Sequence, residues 1–303
     1  MMPFSPHTIH AADGTRLRAG VFGAEPETRG VCVLLHGQTE FIEKYAEVVG
    51  ELNARGFTVA TFDWRGQGGS ARSLSNPLPA HVRDFAQFDD DLASFLDQVV
   101  RPISDAPPLA LAHSMGAHIL LRTLHDKPSA FRAAVLSAPM IDVSARGYPP
   151  WLARAVARLY SALGRGGEFA WGMAQRDPFL ITFDTQLVTS DRERFGRAQK
   201  FLSDHPALRL AGPSWGWLDA AYRSMAQMRA PGFAEAIATP VLICGAGRDR
   251  IVLTAAEREF ARRLAHGRYV EIEDAEHEIL MENDAIRARF WAAFDEFEAA
   301  NRA

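Results

Sequence analysis

The amino-acid sequence predicts an α/β protein: a mainly parallel central sheet with helices on both faces, interrupted by a helical insertion. Three observations predict it. Short continuous apolar runs, of the kind found in strands covered on both faces, alternate with stretches whose apolar residues recur at helical spacing. That alternation stops between about Met140 and Glu235 and resumes at Pro240. His36, Asp63, Ser114 and the stretch from Pro139 to Asp142 each follow an apolar run, which gathers them at the carboxyl edge of the sheet, where open parallel sheets hold ligands. The expected division is a core domain of residues 1–139 and 236–303 and a helical cap, or lid, of residues 140–235.

The elements follow in chain order. Thr8 to Phe22 reads as a strand pair turning at Asp13-Gly14, a dipeptide that favours a tight hairpin. Gly30 to Leu35 is a buried strand ending in His36-Gly37-Gln38. Tyr45, Val48, Val49 and Leu52 then mark a helix that stops at Arg55-Gly56, and Phe57 to Phe62 is the next strand. The polar loop Asp63-Trp64-Arg65-Gly66-Gln67-Gly68-Gly69-Ser70 is rich in glycine, but it lacks the Lys-[Ser/Thr] ending of a phosphate-binding loop and opens no helix. From His81 to Val99, Phe85, Phe88, Leu92, Phe95, Leu96 and Val99 share one helix face, with Asp89, Asp90 and Asp97 outside it. A strand at Leu109 runs into Ser114, a helix continues through Ile119 to Leu124, and Phe131 to Pro139 holds another strand. Beyond the insertion come a strand at Pro240 to Gly245, a helix with Phe260 and Leu264, a last strand at Arg268 to Ile272, and a closing helix with Ile286, Phe290, Phe294 and Phe297 on one face.

Composition narrows the function classes. With 303 residues, 48% hydrophobic and 23% charged, and a net charge of −4, the chain is an ordinary globular one with no call for nucleic acid. The basic residues are almost all Arg, with Lys only at 44, 127 and 200. Met1 to His10 carries neither a basic nor an apolar leader region, and no stretch reaches the ~20 apolar residues that span a bilayer, so a cytoplasmic location is expected. Cys32 and Cys244 fall inside buried strands, where a thiol acts as a small hydrophobe; neither a disulfide nor a metal site is expected.

The chemistry centres on Leu109-Ala110-Leu111-Ala112-His113-Ser114-Met115-Gly116-Ala117. A strand that turns sharply into a helix strains the residue at its apex, and the residues two before and two after must be small. Ala112 and Gly116 meet that need, although the usual form G-x-S-x-G has Gly in the first position. The alternative for Ser114 is a plain helix N-cap. A serine hydroxyl needs a base oriented by a buried carboxylate. His277 follows the last strand and Asp249 the one before it, so the order Ser114, Asp249, His277 is that of a hydrolase on such a sheet. Asp142, after another strand end, is the rival carboxylate, and Asp274 reads as a solvated turn residue. The backbone N–H groups of Met115, next to the nucleophile, and of Gln38, after the Cys32 strand, are the expected oxyanion donors. His36 reads as a residue that shapes its loop.

These residues resemble alpha/beta hydrolases of the monoacylglycerol lipase and bacterial lysophospholipase type. The resemblance rests on His36-Gly37-Gln38-Thr39-Glu40, on Phe62 to Ser70, on Ala112-His113-Ser114-Met115-Gly116 and on Ala275-Glu276-His277-Glu278, and spans nearly the whole chain. Thr189 to Phe195 and Gly212 to Leu218 look most like the lysophospholipase branch. It implies an alpha/beta-hydrolase fold, Ser114 as nucleophile, Asp249 as acid, His277 as base, Gln38 and Met115 as oxyanion donors, a cap over an acyl pocket, and no cofactor. The function expected is serine-dependent cleavage of monoacyl lipid esters, a lysophospholipid or a monoacylglycerol, through an acyl-enzyme. The alternatives are a cofactor-free serine hydrolase of another class, cutting carbon–carbon bonds or forming peracids, and a catalytically inactive binding protein. Within the cap, Trp151, Leu152, Ala155, Val156, Leu159 and Tyr160 recur at helical spacing with Arg154 and Arg158 on the other face. That stripe is expected to pack on the core domain; the alternative is that it lines the acyl entrance or makes weak peripheral contact with a lipid surface, Arg154 and Arg158 meeting anionic head groups.

Overall fold

A computed structural model describes residues 5–24, 29–144 and 149–302 and contains one eight-stranded sheet. Its strands are β1 (Ser5–His10), β2 (Arg16–Phe22), β3 (Val31–Leu35), β4 (Thr58–Phe62), β5 (Leu109–His113), β6 (Ala133–Ser137), β7 (Val241–Ala246) and β8 (Gly267–Ile272). The spatial order is β1-β2-β4-β3-β5-β6-β7-β8. The β1–β2 hairpin joins β4 antiparallel, and every pairing from β4 to β8 is parallel. Strands β3 to β7 are buried along their whole length, because apolar residues face helices on both sides of the sheet. Met1 to Phe4, part of the stretch read for a leader, lie outside the described residues.

The topology sets the place of the site. From β3 the chain steps through α1 (Ala46–Ala54) to β4 on one side, then returns through α2 (Ala86–Phe95) to β5 on the other. Right-handed crossovers in opposite directions put those helices on opposite faces. Consistent with this, Arg55 after α1 pairs with Asp295 of α8 (Asp284–Ala300), the closing helix that follows α7 (Thr254–Arg263) and β8, whereas Asp89 of α2 pairs with Arg122 of α3 (Ser114–Asp126). The strand order therefore reverses between β3 and β5. A crevice opens at the carboxyl ends of the two strands on either side of such a reversal, and here those ends are His36-Gly37 and Ser114.

The expected elements are present with shifts of a few residues at their ends. One differs in kind: the helical pattern from His81 to Val99 becomes regular only at Ala86 and closes in a π turn, Leu96–Val100. Cys32 and Cys244 are free and buried.

Among the described residues of 140–235, none joins the central sheet. The segment carries α4 (Pro150–Ala162), α5 (Arg192–Asp204) and α6 (Trp215–Met228). Trp217, Ala220, Ala221, Met225 and Met228 of α6 belong to the main core, while Trp215 turns the other way into a small separate cluster with Ala157 and Ala170. Helix α4 thus sits on α6, not on the core domain as its stripe suggested. Of the stripe, Val156 and Tyr160 face inward, but Trp151 is 69% and Leu159 55% exposed. The inward face is instead completed by Ala157 and by Arg154, whose guanidinium lies 5.8 Å from the Tyr222 ring.

Candidate active site

Ser114 occupies the corner between β5 and α3 with φ of 49°, left-handed backbone that a residue with a Cβ adopts only under constraint. The constraint is visible at Gly116. A Cβ there would lie 2.5 Å from the His36 carbonyl oxygen and 2.7 Å from that of Leu35, so the helix enters pressed against the end of β3. Ala112, two residues before the serine, is fully buried in β5, and its methyl is accommodated. Where Asp191, Ser214 and Asn283 each cap a helix with a side-chain hydrogen bond, the start of α3 has no such bond. The N-cap reading of Ser114 therefore fails.

The Ser114 hydroxyl is directed elsewhere. Its Oγ lies 3.0 Å from His277 Nε2, and His277 Nδ1 lies 2.6 Å from Asp249 Oδ2. The other Asp249 oxygen accepts the N–H groups of Ile251 at 2.7 Å and Val252 at 2.9 Å, which fixes the carboxylate. Burial would raise the Asp249 pKa, but the charge and hydrogen bond of His277, helped by these two N–H groups, hold it below the usual range. Burial alone would lower the His277 pKa, but the charge and hydrogen bond of Asp249, helped by Glu278 and Glu40, raise it above 6.5. With Nδ1–H donated to Asp249, Nε2 is left free to accept a proton from Ser114.

Gln38 lies in the turn after β3 and Met115 is the second residue of α3. The first N–H groups of a helix have no intrahelical acceptor, so that of Met115 is open toward the corner. A Cβ on Gly37 would fall 3.2 Å from Ser114 Cβ and 2.9 Å from the His113 ring, which brings the Gln38 turn directly against the serine. Thr39, at φ 64°, completes that turn and donates its N–H to Gln67 at 2.6 Å. The glycine-rich loop wraps not a phosphate but the fully buried Asp63. Asp63 accepts from Gly69, Ile42 and Arg18, and a Cβ on Gly68 would overlap its carboxylate.

The remaining carboxylates and histidine are occupied. The Asp142 carboxylate is hydrogen-bonded to the Arg229 guanidinium and to the Val143 N–H, and neither bond involves His277. Asp274 pairs with Arg248 at the surface. His36 is buried, with Nδ1 2.8 Å from the Gly37 oxygen and Nε2 3.4 Å from Asp63, so it braces its own turn. Sequence reasoning passed over the ion cluster of Glu40, Lys44 and Glu278 beside these loops. The only signal for it was Glu40 and Lys44 at a spacing of four. Among the described residues, no group of three or more His, Cys, Asp or Glu side chains is arranged to hold a metal ion. A cleft of about 450 Å³ between α1 and α8, lined by Arg55, Arg287 and Trp291 among others, contains none of the residues around Ser114.

Known proteins resemble the chain in sequence and in fold. The sequence profile described as serine aminopeptidase, S33, matches residues 26–284. Lysophospholipase L2 of Escherichia coli K12 is 35% identical over 268 residues, covering 85% of this chain and 77% of the relative. Monoacylglycerol lipase of Mycolicibacterium smegmatis is 27% identical over 261 residues, covering 86% and 85%. In fold, a soluble variant of monoglyceride lipase from Saccharomyces cerevisiae, solved with a substrate analog, superposes with a TM-score of 0.76 at 19% identity, covering 99% of this chain and 97% of that one. The chain is an alpha/beta hydrolase and belongs to the serine aminopeptidase S33 family.

Proposed function

We propose that the protein is a serine esterase that cleaves monoacyl lipid esters through an acyl-enzyme. The observation that carries the reading is the relay from Ser114 through His277 to Asp249, closed by hydrogen bonds of 3.0 and 2.6 Å. In it, Ser114 Oγ attacks the ester carbonyl as His277 Nε2 takes its proton. The negative charge that develops on the carbonyl oxygen is met by the N–H groups of Met115 and Gln38. His277 then protonates the leaving alcohol; water, deprotonated by the same imidazole, attacks the acyl carbon, and the fatty acid leaves as His277 returns that proton to Ser114 Oγ. Apart from the water, every group these steps use belongs to this chain. The names of the relatives, lysophospholipase L2 and monoacylglycerol lipase, support a single-chain lipid as the substrate class.

In this reading residues 140–235 are a cap. Ser114 is 8% and His277 5% exposed, so the site is recessed and the cap lies on the side from which a substrate enters. Among the described residues, large exposed hydrophobics gather in the same segment: Trp151, Leu152, Leu159, Leu163, Trp171, Phe179 and Leu180. Such a face supports weak, reversible contact with a lipid surface that delivers the substrate.

The test is a lipid-like fluorophosphonate followed by peptide mapping. Ser114 should carry the adduct. Ser114→Ala should lose the adduct and about 10⁴- to 10⁶-fold in kcat, with its melting temperature unchanged. An adduct on another residue, or Ser114→Ala activity near wild type, would end the proposal.

A further inference from the structure

Two segments of irregular structure carry the groups beside Ser114: the turn after β3 with Gln38 and the loop after β8 with His277. Neither is held by sheet pairing at the positions that matter, yet both must meet the serine together. One cluster joins them. Glu40 Oε2 accepts the Gly37 N–H at 2.5 Å and the Tyr45 hydroxyl at 2.8 Å, which closes the turn around Gln38. Its other oxygen lies 2.8 Å from Lys44 Nζ. The same ammonium lies 2.6 Å from Oε1 of Glu278, the residue next to His277, and Glu278 also donates its N–H to the Val188 carbonyl at 2.7 Å. All three charged side chains are largely buried, Glu40 at 2%, Glu278 at 12% and Lys44 at 13% exposure.

Burying three ions in one place is unfavourable, and apolar residues of the same volume would hold the loops at least as firmly. What the cluster adds is direction, because a single cation fixes two carboxylates at defined distances and angles. We propose that Lys44 is a positioning residue for the reaction, tying the turn of Gln38 to the loop of His277 through Glu40 and Glu278 so that oxyanion donors and base keep one register. The inference rests on the serine-esterase reading above. Without the ammonium, Glu40 and Glu278 repel each other in a low-dielectric site and the two loops part, while Ser114 stays held by β5 and α3.

The experiment measures kcat and KM on a soluble p-nitrophenyl ester, and the rate of fluorophosphonate labelling at Ser114, well below each variant's melting temperature. Lys44→Met should lower kcat and the labelling rate about 10- to 100-fold with KM changed no more than about threefold, the signature of misplaced groups and not of lost binding. Lys44→Arg, which restores the bridging cation, should return to within about threefold of wild type. Glu278→Gln should show a smaller loss in kcat, and the Lys44→Met, Glu278→Gln double variant should be no worse than Lys44→Met alone, because both act through one bridge. Wild-type kcat in Lys44→Met, equal loss in Lys44→Arg, or additive losses in the double variant overturn the inference. If Lys44→Met does not fold, Glu278→Gln decides, and wild-type kcat there overturns it. Failure of the fluorophosphonate to label Ser114 in the wild type overturns the esterase reading and this inference with it, whereas normal wild-type labelling with an unaffected Lys44→Met removes the inference alone.

Discussion

Asp249 and Asp142 both follow strands of the sheet, and only their partners distinguish them. Asp249 holds His277 and two backbone N–H groups; Asp142 holds Arg229. Asp249→Asn should therefore cost roughly 10⁴ in kcat, by leaving the imidazole in the wrong tautomer, whereas Asp142→Asn should cost about tenfold or less. Steady-state rates on a dispersed ester check this, and a reversal would move the acid to the earlier strand. In the proposed mechanism the same pair sets the pH dependence. His277 must be neutral to accept the serine proton, and its pKa is raised above 6.5 because Asp249 outweighs burial. The acid limb of kcat/KM should accordingly have its midpoint above pH 6.5, with activity lost as pH falls through it. In Asp249→Asn, burial is no longer opposed by that charge, and the residual activity should show its limb displaced to lower pH. A limb that stays in place would mean another group controls the titration. These residues were legible in the sequence because each stands just after an apolar run. Lys44 and Glu278 were not, since a partnership across 234 residues leaves no local pattern.

At the scale of elements, the corner between β5 and α3 explains why one glycine of the motif is required and the other is not. Gly116 crosses the end of β3, and the groups a Cβ would meet are main-chain carbonyls that cannot swing aside. Gly116→Ala should destabilise the fold by about 1–3 kcal/mol and shift Ser114, so that activity falls even where the protein remains folded. Ala112 lies within a fully buried strand, and Ala112→Gly should bring no gain in rate and a loss of roughly 0.5–1 kcal/mol from added backbone freedom. Thermal melts with parallel rate measurements separate the two effects. An unimpaired Gly116→Ala would show that the helix has room to retreat. The strands and core helices were readable because period and burial coincide in them. The face of α4 was misread because an apolar stripe says that something covers it but not what, and the stripe seen in sequence was wider than the strip α6 can bury. In the structure the helix turns Ala157 inward and leaves Trp151 and Leu159 outside.

Across the whole molecule, the polarity of the surface is uneven in a way that bears on substrate delivery. Among the described residues, no helix is long and apolar enough to cross a membrane. On α4, Trp151, Leu152, Ala155, Leu159 and Ala162 form one continuous outward face at helical spacing that Leu163 extends just past the helix end, and Arg158 flanks it. Arg154, which the sequence pairs with Arg158 for anionic head groups, is turned toward Tyr222 and removed from that role. Of the two arginines of α4, only Arg158 flanks the apolar face, and one basic residue near an anionic surface contributes only about 1 kcal/mol. Attachment should therefore depend on apolar burial more than on charge, and anionic vesicles should hold the enzyme only slightly better than neutral ones. The Trp151→Ser, Leu159→Ser double variant should lose vesicle binding measured by flotation, and should lose more rate on a monoacyl lipid presented in vesicles than on a dispersed short-chain ester. The size of the effect follows from the buried area, since each large side chain contributes about 1.5–3 kcal/mol when fully withdrawn from water and less when it rests at an interface. Diacyl and triacyl substrates serve as the comparison: fast turnover of emulsified triacylglycerol would contradict the preference for single-chain lipids. Equal losses on vesicle-borne and dispersed substrates would show that the double variant disturbs how the cap packs on α6, and would leave the exposed face of α4 without a part in catalysis.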